Sequence, residues 1–116
     1  YKDKDIKETS KILKENGLKD SIMVDMSHGN SSKQFKKQLL VNQDLCNQIS
    51  SGSKNIIGVM IESNLIEGNQ SSDKKDKFKY GQSITDACVG WEDTEIMLNL
   101  LSYAVKNRRQ NMKVSA

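Results

Sequence analysis

Apolar residues are spaced thinly along this chain, and their spacing changes character several times. Over residues 4–16 (KDIKETSKILKEN), Ile6, Ile12 and Leu13 form a narrow stripe that predicts a short helix. Gly17 follows Asn16, where a left-handed residue closes a helix. Residues 21–27 (SIMVDMS) predict a strand, because Ile22, Met23 and Val24 run without polar interruption, as they do when both faces are covered. The strand ends at His28, before a turn through Gly29 and Asn30. Residues 31–51 predict a long helix capped by Ser31 or Ser32, with Phe35, Leu39, Cys46 and Ile49 near one face and Leu45 beside them. Residues 55–61 (NIIGVMI) predict a second strand running into Glu62, with Gly58 marking a close approach by other atoms. Residues 63–82 read as a long polar loop, and 83–89 (SITDACV) as a third, short strand broken at Gly90. A final helix, capped by Asp93 or Thr94, carries Met97, Leu100, Leu101, Ala104 and Val105 as one stripe.

This alternation implies the α/β class, with parallel strands joined by right-handed crossovers. Three parallel strands leave open edges and an uncovered sheet face, and a complete barrel needs more. Composition bears on the same point. A chain of 116 residues is one domain long, yet only 35% is hydrophobic. Even with the seven glycines this falls short of the roughly 45–50% apolar content of a self-contained domain. Residue 1 is Tyr and proline is absent, which fits a piece of a longer protein.

Several classes are set aside. No apolar run approaches the ~18 residues that cross a bilayer, and the charged start YKDKDIKETSK lacks a signal peptide's apolar segment. Two cysteines make no disulfide framework, so a reducing cytoplasm is the expected location. A net charge of +3 is too small to argue for nucleic acid. The basic tail KNRRQNMK lacks interleaved aromatics; Lys106, Arg108 and Arg109 there complement the helix dipole.

The residues with chemical capacity cluster at strand ends. His28 ends the first strand, Glu62 the second, and Asp86 lies in the third. Sites in parallel α/β folds form at the carboxyl ends of strands, and neighbouring strands lie ~4.8 Å apart. One imidazole and two carboxylates suit a divalent manganese, iron, cobalt or zinc ion acting as a Lewis acid. The plainer alternative is a hydrogen-bonded histidine and two capping acids. Asp25 could orient a ligand, and Asn30 and Ser31 could shape the turn that aims His28. Lys33, Lys36 and Lys37 read as the solvated face of a helix, with Lys33 near enough to the helix start to meet a phosphate. The loop lysines Lys74, Lys75, Lys77 and Lys79, alternating with Asp73 and Asp76, read as a solvated loop, with a lid as the second reading. Cys46 reads as a small core residue.

Three blocks carry a family resemblance: DMSHGNSSKQFKKQ (25–38), IIGVMIESNLIEGNQ (56–70) and YGQSITDACVGWEDT (80–94). Together they resemble the C-terminal part of the type I DAHP (3-deoxy-D-arabino-heptulosonate 7-phosphate) synthases. The resemblance implies that residues 1–116 form the last three βα units of a (β/α)₈ TIM barrel, with the N-terminal part outside the chain. It implies one divalent metal held by His28, Glu62 and Asp86, and by a cysteine from an early strand that neither Cys46 nor Cys88 replaces. Cys88 is expected near that absent cysteine; a packed thiol is the plainer reading.

The activity implied is condensation of phosphoenolpyruvate with D-erythrose 4-phosphate, which opens the shikimate route to aromatic amino acids. The metal polarises the sugar aldehyde, the methylene carbon of phosphoenolpyruvate attacks it, water adds, and phosphate leaves; Asp86 is also a candidate contact to the sugar phosphate. The family's phosphoenolpyruvate-binding arginines and lysines lie outside the chain, so the isolated segment is expected to be inactive. A homo-oligomeric full-length enzyme without nucleic-acid or membrane partners is implied as well. The alternatives are a sister synthase that makes 3-deoxy-D-manno-octulosonate 8-phosphate, and a non-catalytic fragment.

Overall fold

The computed structural model describes residues 1–74 and 77–114, so Lys75 and Asp76 of the charged loop lie outside the described residues. Helix α1 (Asp3–Glu15) closes as the sequence predicts. Gly17 takes φ 68°, its N–H reaches the carbonyl of Lys14 at 3.0 Å, and that of Leu18 reaches Leu13 at 2.9 Å. These two bonds satisfy carbonyls that the helix end leaves unpaired. Only Ile6 and Ser10 of α1 are buried; Ile12 faces solvent.

Strands β1 (Ile22–Asp25) and β2 (Ile56–Met60) pair in parallel, with a register shift between Ile22 and Met23. Helix α2 (Lys37–Ser50) joins them. Val24, Met26 and Ile56 face the core against Leu45 and Ile49 of α2 and Met97 of α3 (Trp91–Val114). Met23 and Ile57 on the other face are 64% and 66% exposed, so the sheet is covered on one side where the apolar run predicts two. A Cβ at Gly58 would meet only the Met23 side chain, at an ordinary 3.5 Å, so no close approach explains that glycine.

The expected helix over 31–51 starts six residues late. A 3₁₀ turn (Gly29–Ser31) comes first, and Ser32 and Lys33 then adopt φ 54° and 58°. Such left-handed residues without glycine cost about 1–2 kcal/mol each. Neither serine caps α2: the Ser31 hydroxyl donates to the Ser27 carbonyl inside the turn, and Ser32 begins the left-handed pair. The stripe facing inward also differs from the expected one: it comprises Gln38, Val41, Asn42, Leu45, Cys46 and Ile49. Phe35 and Leu39 are only partly buried.

The loop over 63–82 is not structureless. It holds β3 (Ile66–Asn69), which pairs in parallel with the two-residue β4 (Gln82–Ser83) in a separate sheet. The predicted strand over 83–89 ends at Ser83, because the Ser83 hydroxyl accepts the Thr85 N–H at 3.1 Å and bends the chain. Further along, two isolated bridges follow, an antiparallel one from Cys88 to Gly68 and a parallel one from Val89 to Ser63 just beyond β2. Asp93 and Thr94 fall inside α3, whose first residue is Trp91; the Thr94 hydroxyl donates back to the Gly90 carbonyl at 2.9 Å. Lys106, Arg108 and Arg109 are not at the helix end as expected, because α3 runs on to Val114 and the base in its last turn is Lys113; Arg108 has a packing role instead. Its guanidinium donates to the carbonyls of Ser53 (2.9 Å) and Ile56 (3.0 Å), pinning α3 to the amino end of β2. Among the described residues no helix is long and apolar enough to cross a membrane.

Leu45 is fully buried at the centre of the α2 stripe, whereas Gln43 is exposed on its far side. Leu45→Ala is expected to cost about 2–5 kcal/mol in urea denaturation, and Gln43→Ala less than about 0.5 kcal/mol.

Candidate metal centre

The parallel pairing carries past the last residues of the strands. Met26 N–H donates to the Met60 carbonyl at 3.0 Å, which brings Ser27 and His28 level with Glu62. His28, Glu62 and Asp86 each offer one ligand atom, and these atoms all lie within 4.8 Å of one another. His28 Nε2 stands 3.9 Å from Glu62 Oε1 and 3.6 Å from Asp86 Oδ2. Among the described residues this is the group of histidine, cysteine and acid side chains arranged to hold a metal ion. It lines a small cavity of about 30 Å³ with Ser27, Lys33 and Ala87.

His28 and Glu62 are each aimed by neighbours. The Asp25 carboxylate accepts from the backbone N–H groups of Ser27 (2.8 Å) and His28 (3.3 Å), and from His28 Nδ1 at 2.7 Å. With its proton on Nδ1, the neutral ring presents a lone pair on Nε2 to the two acids. Asn30 donates to the Asp25 carbonyl at 2.7 Å, and the Ser31 hydroxyl to that of Ser27. These contacts fit the turn-shaping roles read from the sequence. Glu62 is gripped at three points. The buried Gln38 accepts the Glu62 N–H at 3.0 Å and donates to its carbonyl at 3.1 Å, while the Ser27 hydroxyl donates to Glu62 Oε2 at 2.5 Å. Behind it, the hydroxyls of Ser63 and Thr94 meet at 2.6 Å.

Gln38 and Ser27 are positioning residues that the sequence reading misses. For Gln38 the available signal is a glutamine on the same helical stripe as Val41, Leu45 and Ile49, a polar group that a buried face tolerates only when it is paired.

Lys33 is not near the start of a helix as expected; the left-handed pair brings it instead into the lining of the cavity. Lys36 pairs with Glu67 at 2.9 Å, away from the centre. Cys88 is buried, and its thiol donates to the Asp86 carbonyl at 3.5 Å. Burial first, and then the negative charge of Glu62, push the thiol's pKa up, so it stays protonated. Cys46 is buried in the core of α2. A larger cavity of about 620 Å³ between α1 and α2, lined by residues such as Lys7, Asp44 and Gln48, stands apart from the three candidate ligands.

The hydrogen bond with Asp25, followed by its charge, raises the His28 pKa, and Glu62 and Asp86 add to the rise. For Asp25, desolvation pushes upward, but the bonds from His28 and the two backbone N–H groups outweigh it and the pKa falls. The donor set fits a divalent cation: a borderline imidazole nitrogen with its lone pair free, and two carboxylates to offset the ion's charge.

The family described as the DAHP synthetase I family matches residues 1–99. The Phe-sensitive phospho-2-dehydro-3-deoxyheptonate aldolase of Escherichia coli (strain K12) is 54% identical over 109 residues, covering 94% of this chain and 31% of that protein. The phenylalanine-inhibited enzyme of Saccharomyces cerevisiae is 46% identical over 115 residues, covering 93% of this chain and 31% of that protein. The solved structure of phospho-2-dehydro-3-deoxyheptonate aldolase from Francisella tularensis SCHU S4 superposes with a TM-score of 0.88 at 45% identity, covering 92% of this chain and 31% of that one. The chain thus spans about a third of the length of the relatives it matches.

His28 is the single histidine of the chain, so its imidazole signals in NMR need no assignment. In the metal-free protein its titration midpoint is expected above the ordinary value of about 6.5, and Asp25→Asn is expected to bring it down. Because the folded His28 pKa is raised, the stability that the pair contributes is present below pH ~6.5 for as long as Asp25 stays ionised, and is lost as pH climbs through the raised midpoint. A midpoint unchanged by Asp25→Asn contradicts the arrangement.

Proposed function

Because the chain belongs to the DAHP synthetase I family, we propose that the full-length protein condenses phosphoenolpyruvate with D-erythrose 4-phosphate and water, giving DAHP and phosphate. The observation that carries this is the convergence of His28, Glu62 and Asp86 within 4.8 Å at the carboxyl ends of parallel strands, with Asp25 fixing the imidazole. In this reading the chain is the last three βα units of a (β/α)₈ barrel. Sites of that fold gather at the carboxyl ends of strands, where these three residues stand. The open face bearing Met23 and Ile57 is the one that further strands would cover.

His28 through Nε2, Glu62 through Oε1 and Asp86 through Oδ2 would hold one divalent ion, either manganese, iron, cobalt or zinc. When bound, such an ion supplies Lewis-acid polarisation of an aldehyde oxygen. The chain's own contribution is preorganisation. Asp25 keeps the Nδ1 proton in place, Gln38 immobilises the backbone that bears Glu62, and Ser27 directs its carboxylate. Substrates aligned against so fixed a frame pay little reorganisation on reaching the transition state.

The test is an assay of the full-length protein with phosphoenolpyruvate and erythrose 4-phosphate, run alongside arabinose 5-phosphate. His28→Ala and Glu62→Ala are each expected to lose bound metal and about three orders of magnitude in turnover, the equivalent of several kcal/mol of lost stabilisation. Normal turnover with full metal occupancy in either variant rejects the assignment. Preference for arabinose 5-phosphate redirects the reading to the sister synthase that makes 3-deoxy-D-manno-octulosonate 8-phosphate.

A further inference from the structure

Lys33 is an unspent cation beside an anionic centre. It lines the same small cavity as His28, Glu62 and Asp86. It arrives there through the only two non-glycine residues at positive φ among the described residues, Ser32 at 54° and Lys33 at 58°. Backbone conformations this unfavourable persist where the surroundings over-determine them, and they gather at functional sites. Three backbone bonds do the determining. Ser32 donates to the Gly29 carbonyl at 3.2 Å, Lys33 to that of His28 at 3.0 Å, and Gln34 to that of Ser31 at 3.0 Å. The reversal therefore ties Lys33 directly to a candidate metal ligand.

Glycine would take these angles without strain, yet position 33 carries a lysine. Among the described residues no carboxylate pairs with its ammonium. Lys36, three residues on, is by contrast occupied by Glu67 at 2.9 Å. A side chain held in a costly conformation, next to a metal-binding geometry and with its charge unused, is placed to meet an incoming anion.

We propose that Lys33 is a substrate-binding residue of this centre, its ammonium engaging the phosphomonoester of a phosphorylated substrate beside the His28–Glu62–Asp86 cluster. The assignment rests on the reading of that cluster as the site of a condensation between two phosphorylated substrates. The shared chemistry is the phosphate dianion, and separate titrations of the two substrates identify which one Lys33 holds.

The experiment uses the full-length, manganese-loaded protein and three variants. Lys33→Gly removes the ammonium while suiting the left-handed backbone, Lys33→Ala removes it with the strain retained, and Lys33→Arg keeps the charge. Inorganic phosphate binding, read by calorimetry, is expected to weaken about ten- to hundredfold in Lys33→Gly and Lys33→Ala and to stay within about threefold in Lys33→Arg, with manganese content unchanged in all three. In steady-state assays the KM of one phosphorylated substrate rises by the same factor, and Lys33→Arg restores it. Phosphate affinity unchanged in Lys33→Gly overturns the proposal, as does loss of manganese in that variant, which would make the residue a support of the turn. Neither KM moving overturns it too. A wild type without condensing activity, whose phosphate binding still depends on Lys33, would sink the condensation reading and leave the anion contact standing.

Discussion

The parallel register of β1 against β2 is the constraint on which everything else depends. Beyond the shift after Ile22, it is maintained from the Met23–Gly58 pair to the bond between Met26 and Met60, one residue before the centre begins. A slip of a single residue would rotate Val24 and Ile56 out of the core and shift His28 by roughly 3.3 Å relative to Glu62. Core burial and ligand convergence are thus one geometric requirement. The apolar side chains that pack on α2 and α3 also keep a nitrogen and a carboxylate oxygen in reach of one another.

Around that register, the centre is built almost wholly from short-range polar contacts. Asp25 acts across three residues on His28, and Asn30 and Ser31 close the turn on the carbonyls of Asp25 and Ser27. Longer-range contacts fix Glu62: the Ser27 hydroxyl reaches its carboxylate from 35 residues away, and Gln38 reaches across 24 residues of sequence to take both of its backbone groups. A buried primary amide has a donor and an acceptor set apart like those of a neighbouring strand. Gln38 therefore substitutes for a ladder partner where no strand runs.

Much of this was legible in the sequence, and the limits have physical causes. His28, Glu62 and Asp86 stood out because strand ends collect chemistry in parallel folds, and α1 with its Gly17 stop followed from spacing and turn chemistry. The start of α2 did not, because Ser31 and Ser32 have the composition of a cap while a 3₁₀ turn and two left-handed residues take that stretch. Gln38 was hidden for another reason: a stripe traced through apolar residues alone passes over a polar side chain that is buried with its partners. β3 was missed because a polar four-residue strand, Ile66–Asn69, paired with only Gln82–Ser83 has no periodicity to read. Asp86 reaches the centre from a bend where a strand was expected, a case in which local hydroxyl chemistry outweighed β-propensity.

β2 is anchored at its two ends by unlike devices. At the amino end the Arg108 guanidinium grips the carbonyls of Ser53 and Ile56 from α3; at the carboxyl end the Gln38 amide grips Glu62 from α2. Durability and chemistry are thereby assigned to opposite poles of one strand, through different helices. Sequence drift can rework the contacts at the arginine pole without detuning the ligand pole. A lineage of such proteins is free to adapt to a new growth temperature at one end of the strand while its chemistry stays fixed at the other.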